Sequence, residues 1–263
     1  MLILLSPAKA MNFAPPPVAA PLTRPGLEAD TAQLAAAARR LSVAQIRGLM
    51  DLSEKLAVLN RERFQALDPD AEGALQAAFA FNGDVYAGLK ARELDLDALA
   101  WAQDHVRILS GLYGVLRPLD GIQPYRLEMG SALQTRRGKT LYAFWGDRLA
   151  RSLASELASH SDPVVVNAAS QEYASAVDRK ALRARVIEVK FLEEKDGRSK
   201  IISFFAKRAR GALARFAIDN RIERADDLRA FDREGYRFLA GESSPDLWVF
   251  SRPQPAPAGA EKE

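Results

Sequence analysis

Apolar and polar positions along this chain repeat with two periods, and the points where one gives way to the other mark its elements. Residues 1–5 are an unbroken apolar run halted by Ser6-Pro7, which predicts a buried first strand. Short apolar runs at 106–109 and 164–166 predict two more. Residues 185–193 alternate with period two and meet 200–204 across Asp196-Gly197, a strong hairpin signal. A second hairpin is expected from 236–239 and 247–251. Helical spacing starts near Asp30 and runs through Leu41. Ser42 and Gln45 then form a capping box, with Leu41 and Ile46 placed as a hydrophobic staple. Ile46, Met50, Ser53, Ala57 and Phe64 continue one face, so two helices joined by a tight turn are expected. Further helices are expected at 71–81, 97–105, 140–159 and 205–222, and Ser170 is expected to cap another.

Strands alternate with helices early and pair as hairpins late. That order predicts an α+β fold, a mixed sheet wrapped by helices in one domain over residues 1–252. Residues 30–66 form an excursion from it, and the Pro-rich stretch 253–263 reads as a disordered tail.

Composition narrows the chemistry. The 263 residues include no Cys and two His, which excludes disulfides, thiolate metal sites, a cysteine nucleophile and histidine-rich centres. No cofactor and no resident metal are expected. The first apolar run lacks a positive leader, and no stretch approaches the ~20 apolar residues of a membrane span. A cytoplasmic monomer without membrane contact is expected. Net charge is only +3, yet residues 179–237 hold 17 Lys+Arg and 10 Asp+Glu. Six basic residues and no acid lie between Arg198 and Arg215, a patch suited to a polyanion. At about 100° per residue, Phe205, Ala209, Ala212, Leu213 and Phe216 share one helical sector. Lys207 and Arg210 lie opposite, flanked by Arg208 and Arg215, while Ile218 breaks the pattern on the basic side. A solvated, snorkelling face is the commoner use of such a helix.

Three predicted strands end in a serine or a Gly-rich turn: Ser6-Pro-Ala-Lys9, Ser110-Gly-Leu-Tyr-Gly114 and Asn167-Ala-Ala-Ser170-Gln-Glu172. Ligands of open α/β sheets sit outside the carboxyl ends of strands, so these tips are candidates to converge. Lys9, Arg117 and Arg126 supply positive charge, and Asp120, Glu128 and Glu172 can take protons or hold a hard cation. The combination suits a small anionic ligand such as a phosphate or carboxylate. Each part also has a structural use, Ser170 as a cap and Arg117-Pro-Leu-Asp120 as a self-satisfied turn.

Five segments carry a resemblance. Leu4-Leu-Ser-Pro-Ala-Lys9, Phe81-Asn-Gly-Asp-Val-Tyr-Ala-Gly-Leu89, Leu109-Ser-Gly-Leu-Tyr-Gly-Val-Leu-Arg-Pro-Leu-Asp120, Pro124-Tyr-Arg-Leu-Glu-Met-Gly130 and Ile201-Ile-Ser-Phe-Phe-Ala-Lys-Arg-Ala-Arg-Gly211 are similar to the bacterial YaaA peroxide-stress family. The resemblance runs in order from Met1 to about Arg252. It implies a cytosolic protein that limits oxidative damage by keeping free iron low, a curved sheet wrapped by helices, a helix-hairpin-helix element over 30–64, and binding to double-stranded DNA. The chain departs from the family pattern at Ala10, where a threonine is frequent, and at Ala168, where a leucine is.

Two functions follow. In the first, Lys207, Arg208, Arg210 and Arg215, with Arg39, Arg40 and Arg47, contact DNA phosphates without sequence preference. In the second, an enzyme acts at the strand tips on a small phosphorylated or carboxylated substrate. Its candidate residues are Lys9, Ser110, Arg117, Asp120, Arg126, Glu128, Asn167, Ser170, Glu172 and Lys190. Strand alternation puts Ile187, Val189 and Phe191 on the core and Lys190 with Glu188 on the other face.

Overall fold

Leu2–Leu5, fully apolar and buried, forms β1 at the centre of the molecule in a computed structural model that describes residues 1–68 and 73–255. The chain then runs β2 (Ala10–Met11), α1 (Glu28–Arg39), α2 (Val43–Met50), α3 (Glu54–Ala66), β3 (Leu75–Gln76), α4 (Ala77–Ala80), β4 (Phe81–Asn82), α5 (Asp84–Leu89) and α6 (Leu96–His105). It continues through β5 (Val106–Ser110), β6 (Gly114–Leu116), β7 (Gly121–Ile122), α7 (Leu141–Trp145), α8 (Arg148–Leu157), β8 (Val164–Asn167), α9 (Gln171–Ala174) and α10 (Arg179–Leu182). The last elements are β9 (Arg185–Lys195), β10 (Arg198–Lys200), α11 (Ser203–Asp219), β11 (Arg237–Phe238) and β12 (Leu247–Pro253).

Eight strands form one mixed sheet in the order β11-β12-β9-β8-β1-β5-β6, with β10 paired to β9 outside this path. β12, β9, β8, β1 and β5 are parallel, and antiparallel β11 and β6 end the row. The fold is therefore α+β with a mixed sheet, as the alternation of patterns predicts. Both expected hairpins form, and Ile187, Val189 and Phe191 are buried while Lys190 is exposed.

Four expectations are corrected. The helical face from Ile46 to Phe64 belongs to two helices, because Asp51 turns left-handed at φ 49° and the Ser53 side chain caps α3 at Leu56 N. The expected helix 71–81 begins outside the described residues; within them it is β3, α4 and β4, because β3 pairs with β7 and β4 with β2. The expected long helix 140–159 is α7 and α8, divided at Gly146. Finally, residues 201–202 leave the hairpin and α11 starts at Ser203. The expected tail lies outside the described residues from 256 onward, and β12 runs through Pro253.

α11 is also buried more widely than its amphipathic pattern predicts. Ala206, Ala209, Gly211, Ala212, Leu213, Ala214, Ala217 and Ile218 are all buried. A Cβ on Gly211 would overlap the Val85 carbonyl oxygen, so α5 presses directly on the helix backbone there.

Candidate functional site at the strand tips

Pairing register makes the expected tips converge. Leu4 lies opposite Asn167 and Leu5 opposite Ile108, so β1, β5 and β8 end together. The Ser6 hydroxyl accepts the backbone N–H of Ser170 at 2.8 Å, and the Tyr86 hydroxyl donates to the Ser6 carbonyl at 3.2 Å. Ser110 Oγ accepts the Tyr113 N–H at 2.9 Å and is hydrogen-bonded to the Tyr125 hydroxyl at 2.6 Å. The segment carrying Tyr125 is seated by a close approach: a Cβ on Gly111 would overlap the Leu127 carbonyl oxygen.

Next to these serines, one carboxylate gathers the local positive charge. Arg126 donates through Nε at 3.0 Å to Glu128 Oε1, its Nη2 lies 2.9 Å from that oxygen in an ion pair, and Lys9 Nζ stands 3.4 Å from it. The second oxygen, Glu128 Oε2, is buried without a hydrogen-bond partner. Glu172 Oε1 accepts the Gly130 N–H at 2.9 Å, and the Tyr142 hydroxyl donates to the Glu172 carbonyl at 2.9 Å. Burial pushes the hydroxyls of Tyr86, Tyr125 and Tyr173 up, and the Glu172 and Glu128 charges raise Tyr173 further. These tyrosines remain protonated hydrogen-bonding groups at neutral pH. Sequence reasoning did not single them out, although Tyr125 and Tyr173 each adjoin a candidate, Arg126 and Glu172.

The tip cluster therefore unites Lys9, Ser110, Arg126, Glu128 and Glu172 with the Ser170 backbone. It is charge-paired within the protein: Glu128 already holds the oxygens that an anionic ligand would bring to Lys9 and Arg126. Ser170 sits at the N-terminal boundary of α9, but its side chain makes no capping bond. Asn167 is committed too, its Nδ2 donating to Glu188 Oε2 at 2.6 Å and its Oδ1 accepting the Ala169 N–H at 3.0 Å. Glu188 also pairs with Arg179.

Arg117 and Asp120 are not in this cluster. They follow β6, which runs antiparallel to β5 and carries them back toward the other end of the sheet. There the buried Asp120 accepts from Arg117 N at 2.8 Å, Arg117 Nη2 at 3.0 Å and the Thr23 hydroxyl at 2.6 Å. A cavity of about 630 Å³ opens at that end, lined by Arg117, Asp120, Glu156, Glu223 and both histidines. Burial, then the α-amino group and His105, hold His160 down at about 4.

The basic residues separate into engaged and free. Arg39 donates to the carbonyls of Phe64, at 3.1 Å, and Leu67, tying α1 to the end of α3. Arg208 pairs with Glu234 at 2.6 Å, and Arg215 with Asp219 at 2.7 Å. Burial lowers the pKa of Arg210, with Glu188 opposing the shift. Arg40, Arg47, Lys190, Lys195, Arg198, Lys200 and Lys207 are exposed. Among the described residues, the ion pairs within 4 Å involve none of these seven.

Comparison with known proteins gives one answer. Residues 1–242 match the family described as Peroxide stress protein YaaA. A UPF0246 protein of Phenylobacterium zucineum (strain HLK1) is 63% identical over 262 residues, with 100% of this chain and 98% of the relative covered. A UPF0246 protein of Caulobacter vibrioides (strain NA1000 / CB15N) is 56% identical over 255 residues, covering 97% of this chain and 100% of the relative. One of Maricaulis maris (strain MCS10) is 55% identical over 259 residues, with 98% of each covered. By sequence over nearly its whole length, the chain belongs to the YaaA peroxide stress protein family.

Proposed function

We propose that this peroxide-stress protein acts in the cytoplasm as a monomer that binds double-stranded DNA without strong sequence preference. The observation that carries the reading is the run of exposed cations, free of ion pairs, on the β9–β10 hairpin and the first turns of α11. Lys190, Lys195, Arg198, Lys200 and Lys207 project from one short stretch of chain, whereas Arg208 and Arg215 spend their charge on protein carboxylates. Unpaired surface cations release counterions when they meet phosphates, while paired ones gain little. Arg40 and Arg47, exposed on the α1–α3 excursion, extend the same chemistry to the helix-hairpin-helix-like element that the family resemblance implies.

Fluorescence anisotropy with two unrelated duplexes tests the reading. With about four phosphate contacts, affinity is expected to fall roughly a hundredfold between ~50 and ~200 mM salt, equally for both sequences. Binding that is absent, or confined to one sequence, overturns it.

The same reading has the protein help limit iron-dependent damage without storing iron itself. A chain with no Cys and two His offers few of the thiolate and imidazole ligands that transition metals favour. Ferrous titration of the purified protein is expected to show no tight stoichiometric site, and a tight one overturns this part of the proposal.

A further inference from the structure

Between α1 and the turn carrying β7 lies a cavity of about 390 Å³ that the DNA reading leaves unused. Leu22, Ala32, Ala35, Leu67 and Tyr113 give it largely apolar walls. Its volume falls within the range of small-molecule sites, about 300–1,000 Å³. Among the described residues that line it, Arg24 and Arg39 stand against Glu28 and Asp68. Glu28 stands 3.5 Å from Arg24, and the Arg39 guanidinium already donates to two backbone carbonyls.

Three polar side chains in the lining keep hydrogen-bonding capacity. Thr31 Oγ1 is buried without any partner, the kind of orphan that a native structure rarely leaves without a use. The Tyr113 hydroxyl accepts the Gln123 N–H at 3.1 Å, and among the described residues its own proton reaches no acceptor. Burial pushes that hydroxyl up to about 12, so it stays a donor. Gln123 Oε1 accepts the Asp68 N–H at 2.9 Å, which leaves the carboxamide N–H bonds to donate. Thr31 lines the cavity, and its hydroxyl makes no protein hydrogen bond that a ligand would have to displace.

We infer that this cavity binds an uncharged planar heterocycle of nucleobase size, held by ring carbonyl or ring nitrogen acceptors that receive the Tyr113, Thr31 and Gln123 donors. The apolar walls cover its faces, and an aromatic ring matches Tyr113 as a flat partner. The inference stands on the cavity and does not depend on duplex binding.

Thymidine and guanosine are the probes, titrated into the full-length protein and followed by saturation-transfer NMR, with ribose 5-phosphate as the charged non-aromatic control. Saturable binding of at least one nucleoside and none of ribose 5-phosphate is expected. Ala32 is an exposed position of α1 that lines the cavity, so Ala32→Trp fills the mouth without disturbing the core. It is expected to abolish nucleoside binding while the circular dichroism spectrum stays unchanged. Thr31→Val should weaken nucleoside binding by about three- to tenfold with an unaltered melting temperature, since no protein hydrogen bond is removed. Thr31→Val also keeps the test decisive if Ala32→Trp melts early. Excess duplex in the titration separates two sources of the ligand: competition places the base within a nucleic-acid strand, and its absence favours a free nucleoside. No saturable nucleoside binding, or wild-type affinity in both variants, overturns the inference.

Discussion

At the scale of single residues, the sharpest consequences come from charges held out of water. Arg252 and Glu193 are 6% and 1% exposed at their side chains, and Arg252 Nε donates to both carboxylate oxygens at 3.0 and 3.2 Å. The Tyr236 hydroxyl donates to the same carboxylate, and the Arg252 guanidinium lies 4.4 Å from the Tyr236 ring centroid and 4.9 Å from that of Phe205. Replacing Arg252 with methionine keeps the packing but leaves Glu193 buried without its counter-charge. A loss of about 3–5 kcal/mol is expected, read from the urea midpoint. His160 makes a second prediction. Its folded value of about 4 lies below the unfolded value of about 6.5, so the unfolded chain takes up the proton first. Stability from this group is complete above about pH 6.5 and declines as pH falls toward 4. His105 is lowered in the same direction, first by burial. His160→Gln should therefore flatten the melting temperature against pH between those limits, and an unchanged profile contradicts the assignment.

At the scale of elements, what was legible is what local chemistry decides. The Ser42–Gln45 box is present in both directions, at 3.2 and 2.8 Å, because a cap needs only its own four residues. The Asp196-Gly197 turn and the buried first strand were equally readable, since turn chemistry and an unbroken apolar run do not depend on distant partners. Residues 75–76 and 81–82 were not, because pairing with β7 and β2 turns them to strand and confines the helix between them to Ala77–Ala80. The tip cluster was half legible: Lys9, Ser110 and Glu128 stand in motifs, but only the β5–β6 reversal shows that Arg117 leaves them. α11 shows why an amphipathic pattern underreads burial. Its small residues look neutral on a helical wheel, yet they admit α5 to backbone distance. Gly211→Ala should cost at least 1–3 kcal/mol, about the range for overpacking, because its Cβ meets a carbonyl rather than a flexible side chain. Circular dichroism melting checks this, and a wild-type midpoint would show that α5 can slide.

For the whole molecule, the sheet separates two polar ends. The strand-tip cluster stands at one, and the cavity shared by both histidines at the other. In the tip cluster Lys9 and Arg126 are both paired with Glu128, whereas the exposed cations of the β9–β10 hairpin and the start of α11 are in no ion pair among the described residues. That contrast makes the hairpin and helix, rather than the strand tips, the surface on which DNA binding stands or falls. No helix among the described residues is long and apolar enough to cross a membrane. The most direct test is the salt dependence of duplex affinity for the wild type beside a Lys200→Ala/Lys207→Ala double variant. Both positions are exposed, and no ion pair among the described residues involves them, so folding is expected to be unaffected. Each lost phosphate contact should reduce the steepness of log affinity against log salt by about 0.9, or about 1.8 for the pair. A double variant with the wild-type slope and affinity contradicts the account.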